Sequence, residues 1–96
     1  MNVDFASITN YYERIVEAAV LEAAPRFPGI AGSKELLVDV ACVALNRLPP
    51  RYIRHEADLV FYLSDRDRIE GERQVADAVE HAFGFVQARA AMRARA

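Results

Sequence analysis

Cysteine and histidine are scarce in this chain. It has one cysteine, Cys42, and two histidines, His55 and His81. One thiol excludes an internal disulfide and a cysteine-based zinc site. The two histidines fall in different predicted elements and no ligand cluster has metal spacing, so neither metal nor cofactor is expected. There is no Gly-x-Ser-x-Gly and no phosphate-binding P-loop. Ser7, Ser33 and Ser64 read as caps or helix-start residues. Cys42 lies in the most apolar predicted helix and reads as a buried structural thiol, not a nucleophile. Glu35 and Asp39 share a helix face at four-residue spacing, an arrangement able to do acid–base work. A solvated or dimer-facing polar strip explains them more simply, and the chain is not expected to be an enzyme.

Long apolar runs are also missing, so no transmembrane helix is expected. The start, Met-Asn-Val-Asp-Phe, has no basic n-region and no apolar core, so no signal peptide is expected and the predicted location is cytoplasmic. The net charge of −2 and a pI near 5.6 argue against a broad basic surface for long nucleic acid, which is bound by neutralising many phosphates. A small local anion site is compatible with that charge. The 96 residues make one domain. Apolar residues are 53% of it, but 17 of them are alanine, which adds little core volume. A helical domain this small often completes its core against a second copy of itself, and a homodimer is expected.

The periodicity predicts an all-α domain with three principal helices. The first covers about residues 4–24, with Ile8, Tyr11, Tyr12, Ile15, Ala19 and Val20 on its apolar face. Two prolines and two glycines make 25–33 a loop. Ser33 then caps a second helix to about Arg47. Its polar strip, Glu35, Asp39, Cys42 and Asn46, is so narrow that the helix is expected to be central and covered on several sides. Pro49 and Pro50 stop it. Residues 48–63 form a Pro-Pro loop with a short element. Leu59-Val-Phe-Tyr-Leu63 has strand-like composition but is too short for periodicity to decide; a short strand and a short helix both fit, and an extended segment is preferred. Ser64 and Asp67 form a capping box for a last helix over about 65–90. Its predicted face is Ile69, Ala76, Val79, Phe83, Val86 and Ala90, and a basic tail, 91–96, follows.

The functional signal lies at the diproline. Arg47, Arg51, Arg54 and His55 fall within nine residues with no acid among them, on a stiffened chain. Guanidinium groups fork onto phosphate oxygens and onto the O6/N7 edge of guanine. Tyr52 offers a stacking face, with Tyr11 and Tyr12 as further aromatic candidates. Asn46 and Asp58 supply hydrogen-bonding groups for base edges. The plain alternative is a solvated loop with helix-C-terminal arginines.

At these residues the chain resembles the late competence development ComFB family. The resemblance is carried by Asn10-Tyr-Tyr-Glu-Arg14, by Asp39-Val-Ala-Cys-Val-Ala-Leu-Asn-Arg-Leu-Pro-Pro-Arg-Tyr-Ile-Arg-His55, and by Asp58 through Tyr62-Leu-Ser64. It implies a small, mostly helical cytosolic protein that dimerises and regulates without catalysis. It further implies kinship with receptors for the cyclic dinucleotides c-di-GMP and c-di-AMP, and with proteins tied to competence and type IV pili. Some members carry extra cysteines suited to zinc, which this chain lacks. The expectation is a cyclic dinucleotide receptor, c-di-GMP ahead of c-di-AMP, acting on a regulatory protein partner. Arg47, Arg51, Tyr52, Arg54, Asn46, His55 and Asp58 are its candidate ligand-binding residues. The rival is a protein–protein adaptor in pilus or competence regulation with no small ligand.

Overall fold

The computed structural model describes residues 1–95. The fold is mainly α, as the periodicity predicts. Its body is three helices: α1 (Tyr12–Ala23), α3 (Lys34–Asn46) and α5 (Asp65–Arg95), each packed against the other two. Between them lie two four-residue helices, α2 (Pro28–Ala31) and α4 (Leu59–Tyr62). A two-stranded antiparallel ribbon, β1 (Thr9–Asn10) and β2 (Tyr52–Ile53), pairs Thr9 with Ile53 and Asn10 with Tyr52. No described helix is long and apolar enough to cross a membrane.

The helix starts follow their caps. Ser33 Oγ accepts the Leu36 N–H at 3.2 Å. At α5, Ser64 Oγ accepts the Asp67 N–H and Asp67 Oδ2 accepts the Ser64 N–H, the reciprocal pair expected of a capping box. A second set of side-chain bonds at a helix start explains why the first helix is shorter than 4–24. Asn10 Oδ1 accepts the Tyr12 N–H, and Glu13 Oε2 accepts the Asn10 N–H and the Thr9 hydroxyl. Residues before that cap cannot continue the helix. Asp4 instead caps a single 3-10 turn, Phe5–Ser7, and Thr9–Asn10 run extended against β2.

The expected extended segment at 59–63 is a helical turn, closed by the Leu63 N–H on the Leu59 carbonyl at 2.9 Å. The strand is Tyr52–Ile53, where the chain leaves the diproline already extended and finds a partner. In the predicted loop 25–33, a 3-10 turn (Ala24–Arg26) leads into α2 with Pro28 at its first position. The last helix continues through the expected tail to Arg95; Ala96 lies outside the described residues.

The core is built on α5. Val75, Ala78, Val79, Ala82, Phe83 and Val86 are buried along it, facing Tyr12, Val16, Val20 and Ala23 of α1 and Val40 and Ala44 of α3. Phe83 is fully covered and stacks on Phe27 with ring centroids 4.4 Å apart. Burying such a ring stabilises by about 1.5–3 kcal/mol. Gly71 is buried where α5 meets Tyr12: a Cβ there would lie 3.3 Å from the Tyr12 hydroxyl oxygen, so glycine permits the approach. The predicted α5 face is thus off-register, with Val79, Phe83 and Val86 buried but Ile69 and Ala76 exposed. Nor is α3 enclosed. Val38 is 67% exposed on its outer side, and Cys42, expected to be buried, is exposed one turn further along.

Candidate ligand site

The diproline segment is stitched to the start of α1 by its backbone. The Arg51 N–H donates to Asn10 Oδ1 at 3.1 Å, and the Tyr11 N–H donates to the Arg51 carbonyl at 2.7 Å. The ribbon continues the attachment through Ile53, which is buried. Side chains alternate along an extended chain. With Ile53 turned inward, Tyr52 and Arg54 are exposed.

Beside this junction is a cleft of about 420 Å³ lined by Thr9, Asn10, Tyr11, Arg14, Ile15, Ile53, Arg54, Glu56 and Leu59. Its size suits a small organic ligand. Apolar walls come from Ile15, Ile53 and Leu59, an aromatic face from Tyr11, and two guanidiniums from Arg14 and Arg54. Glu56 is the acid in the lining, with its Oε1 2.6 Å from Arg14 Nη1. A neighbouring cleft of about 450 Å³ shares Tyr11 and Leu59 with the first and extends past Val60, Leu63, Ser64, Asp65 and Arg68.

The seven residues singled out in the sequence do not converge. Arg54 alone among them lines the cleft beside the ribbon. Arg51 turns its Nη1 to the Tyr62 carbonyl at 3.4 Å, at the end of α4. Arg47 lies 3.5 Å from His81 Nε2 of α5 and lines a separate hollow with Leu48, Pro49, Gln74, Asp77 and Ala78. Asn46 donates from its amide to the Cys42 carbonyl at 3.1 Å and closes the last turn of α3. Tyr52 and His55 are exposed, and Asp58 is half-buried in the 3-10 turn Glu56–Asp58. Three arginines close in sequence thus point to three places, because the chain turns at the diproline and then runs as a strand.

Thr9, Asn10, Arg14, Ile15 and Glu56 were not among the sequence candidates. The available signal was the resemblance itself, which covers Asn10–Arg14 as well as the diproline segment. The fold brings these two stretches into contact. Asn10 is the hinge pin: one side-chain oxygen accepts from α1 and from the diproline segment together.

At the margin of the site, Asp67 feels several donors. The Ser64 N–H, and after it the Ser64 hydroxyl, hold its carboxyl below the usual carboxylate range, with Arg51 and Arg66 adding to the effect. Among the described residues no group of histidine, cysteine, aspartate and glutamate is arranged to hold a metal ion.

The model of the family described as late competence development protein ComFB matches residues 9–90, from β1 to near the end of α5. No curated protein and no solved structure matches the chain significantly.

Proposed function

The chain belongs to the ComFB family, and from that premise we propose that it is a receptor for a cyclic dinucleotide, c-di-GMP ahead of c-di-AMP, which regulates a protein partner. The observation that supports this most is the cleft beside the ribbon, where Arg14 and Arg54 meet the aromatic face of Tyr11 over an apolar floor. Arg54 and Arg14 hold phosphate oxygens or guanine edges, and Tyr11 stacks on a base. Arg51 anchors the strand that presents Arg54, through its backbone bonds to Asn10 and Tyr11. The protein acts as a cytoplasmic homodimer in this proposal. Its contact is the outer flank of α3, where Val38 is left uncovered by the chain's own core. Ligand binding then shifts the population between arrangements that the partner distinguishes.

Calorimetric titration with both dinucleotides tests the proposal. Heat and a thermal shift are expected with wild type and neither with Arg54→Ala. Silence at about 100 µM ligand, a weak limit for a specific site, would sink it.

A second function, a protein–protein adaptor in competence or type IV pilus regulation, is favoured by a different observation: α4 turns Val60, Phe61 and Tyr62 to solvent. The Arg51→Ala, Arg54→Ala double variant separates the two. A receptor loses nucleotide binding and keeps its oligomeric state; an adaptor loses its partner in pull-down and is indifferent to nucleotide.

A further inference from the structure

One of the two guanidiniums in the cleft is already occupied. Arg14 Nη1 is 2.6 Å from Glu56 Oε1. A carboxylate on a guanidinium uses the same forked donors that take a phosphate oxygen. Glu56 therefore sits where an anionic ligand would sit. Arg54, in the same cleft, has no ion pair among the described residues.

What Glu56 is attached to gives the contact a consequence. It opens the 3-10 turn that leads into α4, a four-residue helix that is only half-buried at Leu59 and exposed from Val60 to Tyr62. Two arginine side chains tie segment 56–63 to the body: Arg14 at Glu56, and Arg51 at the Tyr62 carbonyl. The outer side of the segment is apolar, with Val60 76% and Phe61 83% exposed.

We infer that Glu56 is an internal competitor for the anion site. A ligand phosphate that takes Arg14 expels the Glu56 carboxylate, removes one of the two arginine tethers of segment 56–63, and so alters how Val60, Phe61 and Tyr62 are presented to a partner. The inference rests on the receptor function proposed above. Both side chains of the pair are largely exposed, and exposed pairs are weak. The carboxylate is thus a competitor that a doubly charged ligand overcomes, and its effect on affinity is modest.

The test uses the full chain carrying Glu56→Gln, with c-di-GMP affinity read by calorimetry and amide exchange followed at residues 59–63. The variant is expected to bind c-di-GMP about two- to five-fold more tightly. That gain should vanish in an Arg14→Ala background. Ligand-free Glu56→Gln should show the exchange at 59–63 that wild type shows only with ligand. A gain that persists without Arg14, or exchange at 59–63 that the variant leaves unchanged, overturns the inference. Equal affinity of wild type and variant overturns the competition alone, whereas failure of both to bind c-di-GMP overturns the receptor function with it.

Discussion

The two ends of this molecule are built on opposite principles. Around Phe83, Val16, Val40 and Val86, four side chains from three helices are fully covered, and the contacts are apolar. Around the ribbon and α4, Ile53 is the buried apolar residue and the other ties are polar: Asn10 to Arg51 and Tyr12, Arg51 to Tyr62, Arg14 to Glu56. Large apolar side chains there, Val60 and Phe61, face solvent. The bundle is fixed by burial, which is strong and insensitive to small anions. The other end is fixed by charged and polar groups that a ligand can compete for. Under the receptor function proposed above, the responsive part of the protein is the diproline junction and the bundle is its rigid reference.

Substitutions should separate the two ends by size of effect. Phe83→Ala removes a ring stacked on Phe27 and leaves a cavity; it should cost about 3–5 kcal/mol in urea unfolding. A cost below about 1 kcal/mol would mean that the bundle is not the rigid part. Asn10→Ala leaves the Arg51 and Tyr12 amides without their acceptor. About 1–2 kcal/mol should be lost, with faster exchange of the Arg51 amide and little change at Phe83.

A smaller effect is expected from acid. The Asp67 carboxyl is held below its unfolded value, so the capping box it forms with Ser64 contributes stability above about pH 4 and loses it as the pH falls through the folded pKa. Amide exchange at residues 64–68 should rise on acidification before that of residues 79–86. Loss of both together would remove the distinction between the ends. The smallest change belongs to Phe61→Ser, which should alter stability by less than about 0.5 kcal/mol because the ring is exposed. A large loss would show that α4 is packed in solution.

The legible parts of the fold were those set by local chemistry. Ser33 and Ser64 cap where expected, and the diproline ends α3. The cleft was less legible. Arg54 lines it, but its neighbours there, Tyr11 and Arg14, come from the far side of a 40-residue separation in sequence, Arg14 to Arg54. Clustering along the chain suggested that Arg47, Arg51 and Arg54 act together; a turn and a strand set them apart. Residues 59–63 misled because β-branched and aromatic composition says nothing about whether a pairing partner is near.

By itself the sequence determined the helical class, the caps, the break at Pro49-Pro50 and the family to which the chain belongs. Those depend on residue types within a few positions of one another. Only the tertiary structure decided that α5 carries the core, that Cys42 and Val38 lie outside it, and that Tyr11, Arg14 and Arg54 share a cleft while Glu56 occupies one of its guanidiniums. Each of these depends on which distant segments pack together, and the bonds that bring α1 to the diproline are made by backbone groups that every residue carries.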